Sequence, residues 1–73
     1  MNKNEYYIAI GAKIVAIRTE KGLRQEDLAE KMGVSRMQLY RIENGKVNPT
    51  VGSLLDICSA LNIKIVELLD IEG

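Results

Sequence analysis

The 73 residues predict an all-α fold, a compact bundle of five helices, from three observations. Apolar residues recur at three- and four-residue spacing over almost the whole chain, and nowhere do they alternate as strand residues do. An apolar fraction of 47% with a single proline is too rich for a disordered chain. The length allows one domain, residues 1–73, and so short a chain buries only about three-fifths of its unfolded surface, which calls for a dense helical core where other staples are missing. They are missing here. Cys58 is the single thiol, which excludes a disulfide, and the lack of histidine excludes the familiar four-ligand zinc sites. No apolar run approaches a membrane span or a signal peptide, so a soluble, cytoplasmic protein is expected.

The first helix is expected between Asn4, as N-cap, and Gly22, just past its end, with Tyr7, Ile10, Ile14 and Ile17 along one face. Leu23 enters the core beyond the glycine. A second, short helix runs from about Gln25 to Met32 with Leu28, Ala29 and Met32 inward, and Glu26 and Asp27 suit the positive end of its dipole. Gly33 supplies the left-handed residue that turns the chain sharply after two helical turns, and Val34 fills the corner. Ser35 and Gln38 form a capping box that opens a third helix, which ends near Asn44-Gly45. After Lys46-Val47-Asn48-Pro49, Thr50 caps a fourth helix with Val51, Leu54, Leu55, Cys58 and Leu61 inward, and Asn62 closes it. A last helix, Lys64 to Leu69, turns Ile65, Leu68 and Leu69 inward, although neither Ile63 nor Lys64 is a good cap.

The net charge of zero hides a polarity. Residues 1–46 hold nine bases against six acids, and residues 47–73 hold Lys64 against Asp56, Glu67, Asp70 and Glu72, so the two segments carry +3 and −3. An anionic partner would meet the first two-thirds of the chain. Asymmetry of this size also arises by chance in a short chain, so it gains meaning only beside a motif. The motif lies at about residues 25–44. Ala29 is small where the second and third helices cross, Gly33 permits the turn, and Leu39 and Ile42 lock one helix on the other, which are the steric demands of a helix-turn-helix.

These residues, together with Ile14, Arg18, Gly22-Leu23, the run Gln25 to Ala29, Val34-Ser35, Glu43-Asn44-Gly45, Pro49, Leu54, Ala60-Leu61 and Leu68-Leu69, resemble the helix-turn-helix domain of phage repressor and Cro-type transcriptional regulators. The resemblance covers about four-fifths of the chain. It implies a five-helix bundle of the repressor DNA-binding-domain type, with the helix-turn-helix at helices 2 and 3 and the third helix in the major groove of double-stranded DNA. At 100° per residue Leu39 and Ile42 share the core side, Met37, Tyr40 and Arg41 point away, and Arg36 projects ahead. Arg36, Met37, Tyr40 and Arg41 are therefore the candidates for base reading. Each arginine can donate two hydrogen bonds to a guanine, Met37 can pack on a thymine methyl, and Tyr40 can reach a phosphate or a base edge. The resemblance also implies that Gln25, with Arg24 beside it, holds a phosphate at the start of the second helix, although Arg24 stands where the family has a capping Thr or Ser. Asn44 and Lys46 would hold a second phosphate, and Asn44-Gly45 serves equally as a helix stop. Arg18 and Glu43 are assigned to structure, as a buried or half-buried ion pair of a kind the family uses.

One module of this size makes few base contacts, and two-fold pairing is the usual remedy. Ile63, Val66 and Ile71 exceed what a two-turn helix buries against its own bundle, and Ile8 and Val15 lie off the main face of the first helix. A homodimer through the C-terminal end is expected, reading a palindromic operator with its third helices about 34 Å apart; the alternative is that these residues cover the bundle's own end. Without histidine, a glycine-rich phosphate loop or a buried carboxylate pair, the chain is not expected to be an enzyme. No cofactor, metal or small-molecule effector is expected, Cys58 reads as a core residue, and the three tyrosines make no stacking platform for single strands. The function expected is that of a sequence-specific regulator of transcription, such as a restriction-modification controller, a phage or mobile-element repressor, or an antitoxin. The alternative, supported by zero net charge, is a protein-interaction adaptor or antitoxin that uses the same helices to bind a protein.

Overall fold

Helix starts in this chain are set three residues at a time. The structure, a computed structural model, describes residues 1–71 and contains α1 (Lys3–Glu20), α2 (Gln25–Met32), α3 (Arg36–Glu43), α4 (Val51–Leu61) and α5 (Ile65–Leu69). Asn2, not Asn4, caps α1: its Oδ1 accepts the Glu5 N–H at 2.9 Å, and Glu5 Oε1 accepts the Asn2 N–H at 3.2 Å. Asn4 has Tyr7 three residues on, which cannot return the bond, so the complete box at Asn2 moves the start two residues earlier. Ser35 and Gln38 exchange the same pair of bonds at 3.1 and 2.8 Å, and Thr50 Oγ1 accepts the Ser53 N–H at 3.0 Å. Arg24 and Lys64 have no acceptor to offer. There only the reciprocal half of the box is made: the acid three residues on accepts the cap residue's own N–H, Asp27 from Arg24 at 2.8 Å and Glu67 from Lys64 at 2.7 Å.

Four helices also end alike. Gly22, Gly33, Gly45 and Asn62 take the left-handed conformation, with φ of 75°, 72°, 67° and 56°. The residue after each sends its N–H back five positions, Leu23 to Arg18, Val34 to Ala29, Lys46 to Arg41 and Ile63 to Cys58, at 2.9–3.0 Å. These bonds satisfy carbonyls that a helix end would otherwise leave open.

The core gathers Ile14 from α1, Leu28 from α2, Leu39 from α3, Ile57 and Leu61 from α4 and Leu68 from α5, all fully buried. The chain departs from its apolar pattern at three expected inward positions. Val51 is 70% and Leu55 50% exposed, and Leu69 is exposed on α5. On α4 the buried arc is Leu54, Ile57, Cys58 and Leu61; it centres between Leu54 and Leu61, which puts Val51 and Leu55 beyond its Cys58 edge. Ile57, which the apolar spacing did not single out, is fully buried at the arc's other edge. Two glycines seat α1 on the end of α3. A Cβ on Gly11 would collide with the Glu43 carbonyl and lie 2.7 Å from that of Ile42, and one on Gly45 would lie 2.6–2.7 Å from Ile8. Backbone touches backbone there, which fixes how far α3 stands out from the bundle.

Candidate nucleic-acid interface

With Leu39 fully buried, Ile42 half-buried and Glu43 buried, the opposite side of α3 is left to solvent. Arg36, Met37, Tyr40 and Arg41 are all exposed along it. Their stage is stiff, because α3 is capped at both ends, packed on α2 and seated on Gly11 of α1. Met37 and Tyr40 lose hydrophobic contact by standing there, so the ridge contributes little to the stability of the isolated bundle. The electrostatics point the same way. The first turn of α3 contains no acidic residue and begins with Arg36, so a cation sits at the positive end of the helix dipole, where an anion would be favoured. An approaching phosphate backbone meets both charges with the same sign.

Beneath the ridge lies a buried ion pair. Arg18 Nε donates to Glu43 Oε2 at 2.8 Å and Nη2 to Oε1 at 3.0 Å, while Nη1 donates to the Leu23 carbonyl at 3.1 Å. Arg18 is 9% and Glu43 6% exposed, and among the described residues no buried side-chain nitrogen or oxygen lacks a partner. The two-pronged geometry uses the planar fork of arginine, which a lysine cannot reproduce.

The four residues that the resemblance makes phosphate ligands are placed differently from one another. Gln25 is half-buried at the first position of α2; its Nε2 donates to Glu43 Oε1 at 2.7 Å and its Oε1 accepts from Arg36 Nη1 at 3.5 Å. Spacing along the chain gave no sign of this double attachment. Arg24 is exposed but engaged, with Nη1 2.9 Å from Glu26 and Nε 3.2 Å from Asp27. The Arg24 guanidinium, hydrogen-bonded to Asp27, holds that carboxyl below the usual carboxylate range. Asn44 is exposed just past α3, where its Nδ2 donates to the Tyr40 carbonyl at 2.8 Å. The Lys46 side chain is exposed in the next loop.

At the other end of the molecule Val66 is 66% exposed, whereas Ile63 packs against the core and Ile71 is half-buried. Cys58 is buried in α4, and burial pushes its thiol above the ordinary range. Among the described residues no helix is long and apolar enough to cross a membrane.

Known proteins are similar to this chain in sequence and fold. A family model described as helix-turn-helix matches residues 14–68. The chain is 39% identical over 59 residues to y4dJ, an HTH-type transcriptional regulator of Sinorhizobium fredii, covering 81% of this chain and 77% of that protein. It is 40% identical over 58 residues to the immunity repressor protein of Bacillus phage phi105, covering 80% of this chain but only 40% of the repressor. The crystal structure of the restriction-modification controller protein C.AhdI from Aeromonas hydrophila superposes with a TM-score of 0.82 at 34% identity, covering 85% of this chain and 94% of the controller.

Proposed function

Because the chain belongs to the helix-turn-helix family of transcriptional regulators, we propose that it binds double-stranded DNA in a sequence-specific manner and controls transcription by occupying an operator. One observation carries this reading: the ridge of Arg36, Met37, Tyr40 and Arg41 is exposed on a short helix whose opposite side, Leu39, Ile42 and Glu43, is anchored in the bundle. A side-chain set of this kind can read base edges in the major groove, each arginine contributing roughly 1–3 kcal/mol of discrimination when paired to a guanine. Lys46 and the Asn44 side chain stand at one end of the ridge and the start of α2 at the other, positions suited to holding phosphates on either side.

In this reading residues 1–73 act as one helix-turn-helix domain working in the cytoplasm, with neither catalysis nor a small-molecule effector. It acts as a homodimeric repressor or controller on a palindromic operator. The C-terminal end, with Val66 outermost and Ile63 and Ile71 behind it, is the surface proposed to pair. Sedimentation that finds only monomer at tens of micromolar, with and without DNA, would remove the dimer and leave the DNA reading intact.

Selection of bound duplexes from a random pool tests the whole proposal. The expected result is a two-fold symmetric site bound with an affinity that falls linearly in log–log form as salt rises, by about 0.9 per phosphate neutralised. Zero net charge favours a second reading, an adaptor or antitoxin whose α3 docks a protein. That reading requires that no duplex be enriched at any salt.

A further inference from the structure

The hydrogen bond that opens α3 also limits what α3 can read. Gln38 Oε1 accepts the Ser35 N–H at 2.8 Å, so the carbonyl end of this exposed side chain is committed to the cap. Its amide nitrogen is left to face a partner, and that atom can only donate. Reading adenine with an amide takes both ends at once, the oxygen on the exocyclic amino group and the nitrogen on the neighbouring ring nitrogen. Gln38 is the only amide side chain on α3, and with the box closed it cannot make that pair of bonds. The rest of the exposed side has the same polarity. Arg36 and Arg41 contain no acceptor atom. Glu43, the one carboxylate of the helix, is buried and takes N–H groups from Arg18 and Gln25. Among the described residues, the Tyr40 hydroxyl is then the one exposed side-chain oxygen of α3 still able to accept without breaking a bond. Asn44 stands past the end of the helix, with its Nδ2 donating to the Tyr40 carbonyl.

We propose that α3 reads its operator by donation: Arg36, Gln38 and Arg41 meet acceptor atoms of guanine and thymine, and no amino group of adenine or cytosine is contacted except through Tyr40. The proposal rests on α3 being the reading helix, and it adds Gln38 to the residues that set base preference. In the major groove guanine offers a carbonyl oxygen and a ring nitrogen, and thymine a carbonyl oxygen, all of which answer a donor. The adenine and cytosine amino groups need an acceptor. Set against this face, either would give up its water and find nothing to replace it. Discrimination then comes from what the face cannot accept as much as from what it donates.

The experiment measures binding of the full chain to its selected duplex and to copies carrying one analogue base at a time. Deazaguanine, with carbon for the groove-facing ring nitrogen, and thiothymine, with sulfur for the groove-facing oxygen, weaken acceptors. Purine for adenine and pyrimidinone for cytosine delete amino groups. At least one acceptor change is expected to weaken binding about tenfold. Each amino deletion should change affinity less than about twofold, and any larger loss should vanish in Tyr40→Phe. Gln38→Glu keeps the box closed, as Glu5 does for Asn2, but turns an acceptor outward. Gln38→Met keeps the length and neutrality of the side chain and lacks the donor. Both should weaken the selected duplex about tenfold, and Gln38→Glu should do so without loss of thermal stability, so neither a lost cap nor an added charge explains the pair. Binding unchanged by either substitution, no loss from any acceptor change, or an amino-group dependence that survives Tyr40→Phe would overturn the proposal and leave the DNA reading standing. If no duplex is selected at all, the DNA reading fails and the proposal falls with it.

Discussion

The α2–α3 half of the molecule and the α4–α5 half are held by different forces. Around α2 and α3 the fixed points are directional: the Ser35–Gln38 box, the Glu43 carboxylate shared by Gln25 and by Arg18 of α1, and the backbone contact with Gly11 of α1. The α4–α5 half buries Leu54, Ile57, Cys58, Leu61 and Leu68 and no charged residue. Apolar burial stabilises without specifying orientation, whereas hydrogen bonds to a buried carboxylate hold only when donor and acceptor face each other. The half that carries the exposed ridge is the half built from bonds with angles. The half that supports it needs only to exclude water.

Substitutions can break this contrast or sharpen it. Arg18→Ala should have the largest effect, about 3–5 kcal/mol in urea unfolding, because it strands the Glu43 charge in the interior. Unchanged stability would mean that water reaches the pair. Ile57→Ala should cost about 2–4 kcal/mol through lost burial and the cavity it leaves, while Leu55→Ala two residues away should stay within about 0.5 kcal/mol. Equal losses at the two sites would contradict the exposure of Leu55. Gly11→Ala should cost about 1–3 kcal/mol, since its methyl has to push α3 outward. A matched loss of DNA affinity would show that the height of α3 matters for docking. Gly52→Ala should have a small effect of the opposite sign, a gain of about 0.5 kcal/mol, because the nearest atom is the Thr50 hydroxyl at 3.7 Å. Thermal melting distinguishes the two glycines directly.

Much of this was legible in the sequence, because the helix boundaries are local. Ser35-x-x-Gln38, Gly33 and Asn62 each act on residues within five positions, so a linear reading finds them. Asn2 was missed in favour of Asn4, since choosing between two asparagines requires noticing Glu5. The start of α5 is weakly marked for a similar reason, since Lys64 offers no acceptor and only Glu67, accepting the Lys64 N–H, marks it. Val51, Leu55 and Leu69 were expected inside because a spacing of three and four defines a stripe but not its width, and this bundle has too few neighbours to cover a wide one. The outward side of α3 followed from 100° per residue once Leu39 and Ile42 were placed inward. The closeness of Gly11 to α3 and the attachment of Gln25 to Glu43 join positions 32 and 18 residues apart, and no periodicity within one helix encodes either.

The repeated start and stop devices have a kinetic consequence. When each helix carries its own boundary signals, its ends are fixed by residues within five positions, so docking needs no search for register. Topologies dominated by such local contacts cross their barrier in microseconds to milliseconds. A chain that folds this quickly exposes its apolar stripes only briefly as it leaves the ribosome, which limits the time in which they can meet those of another unfolded chain.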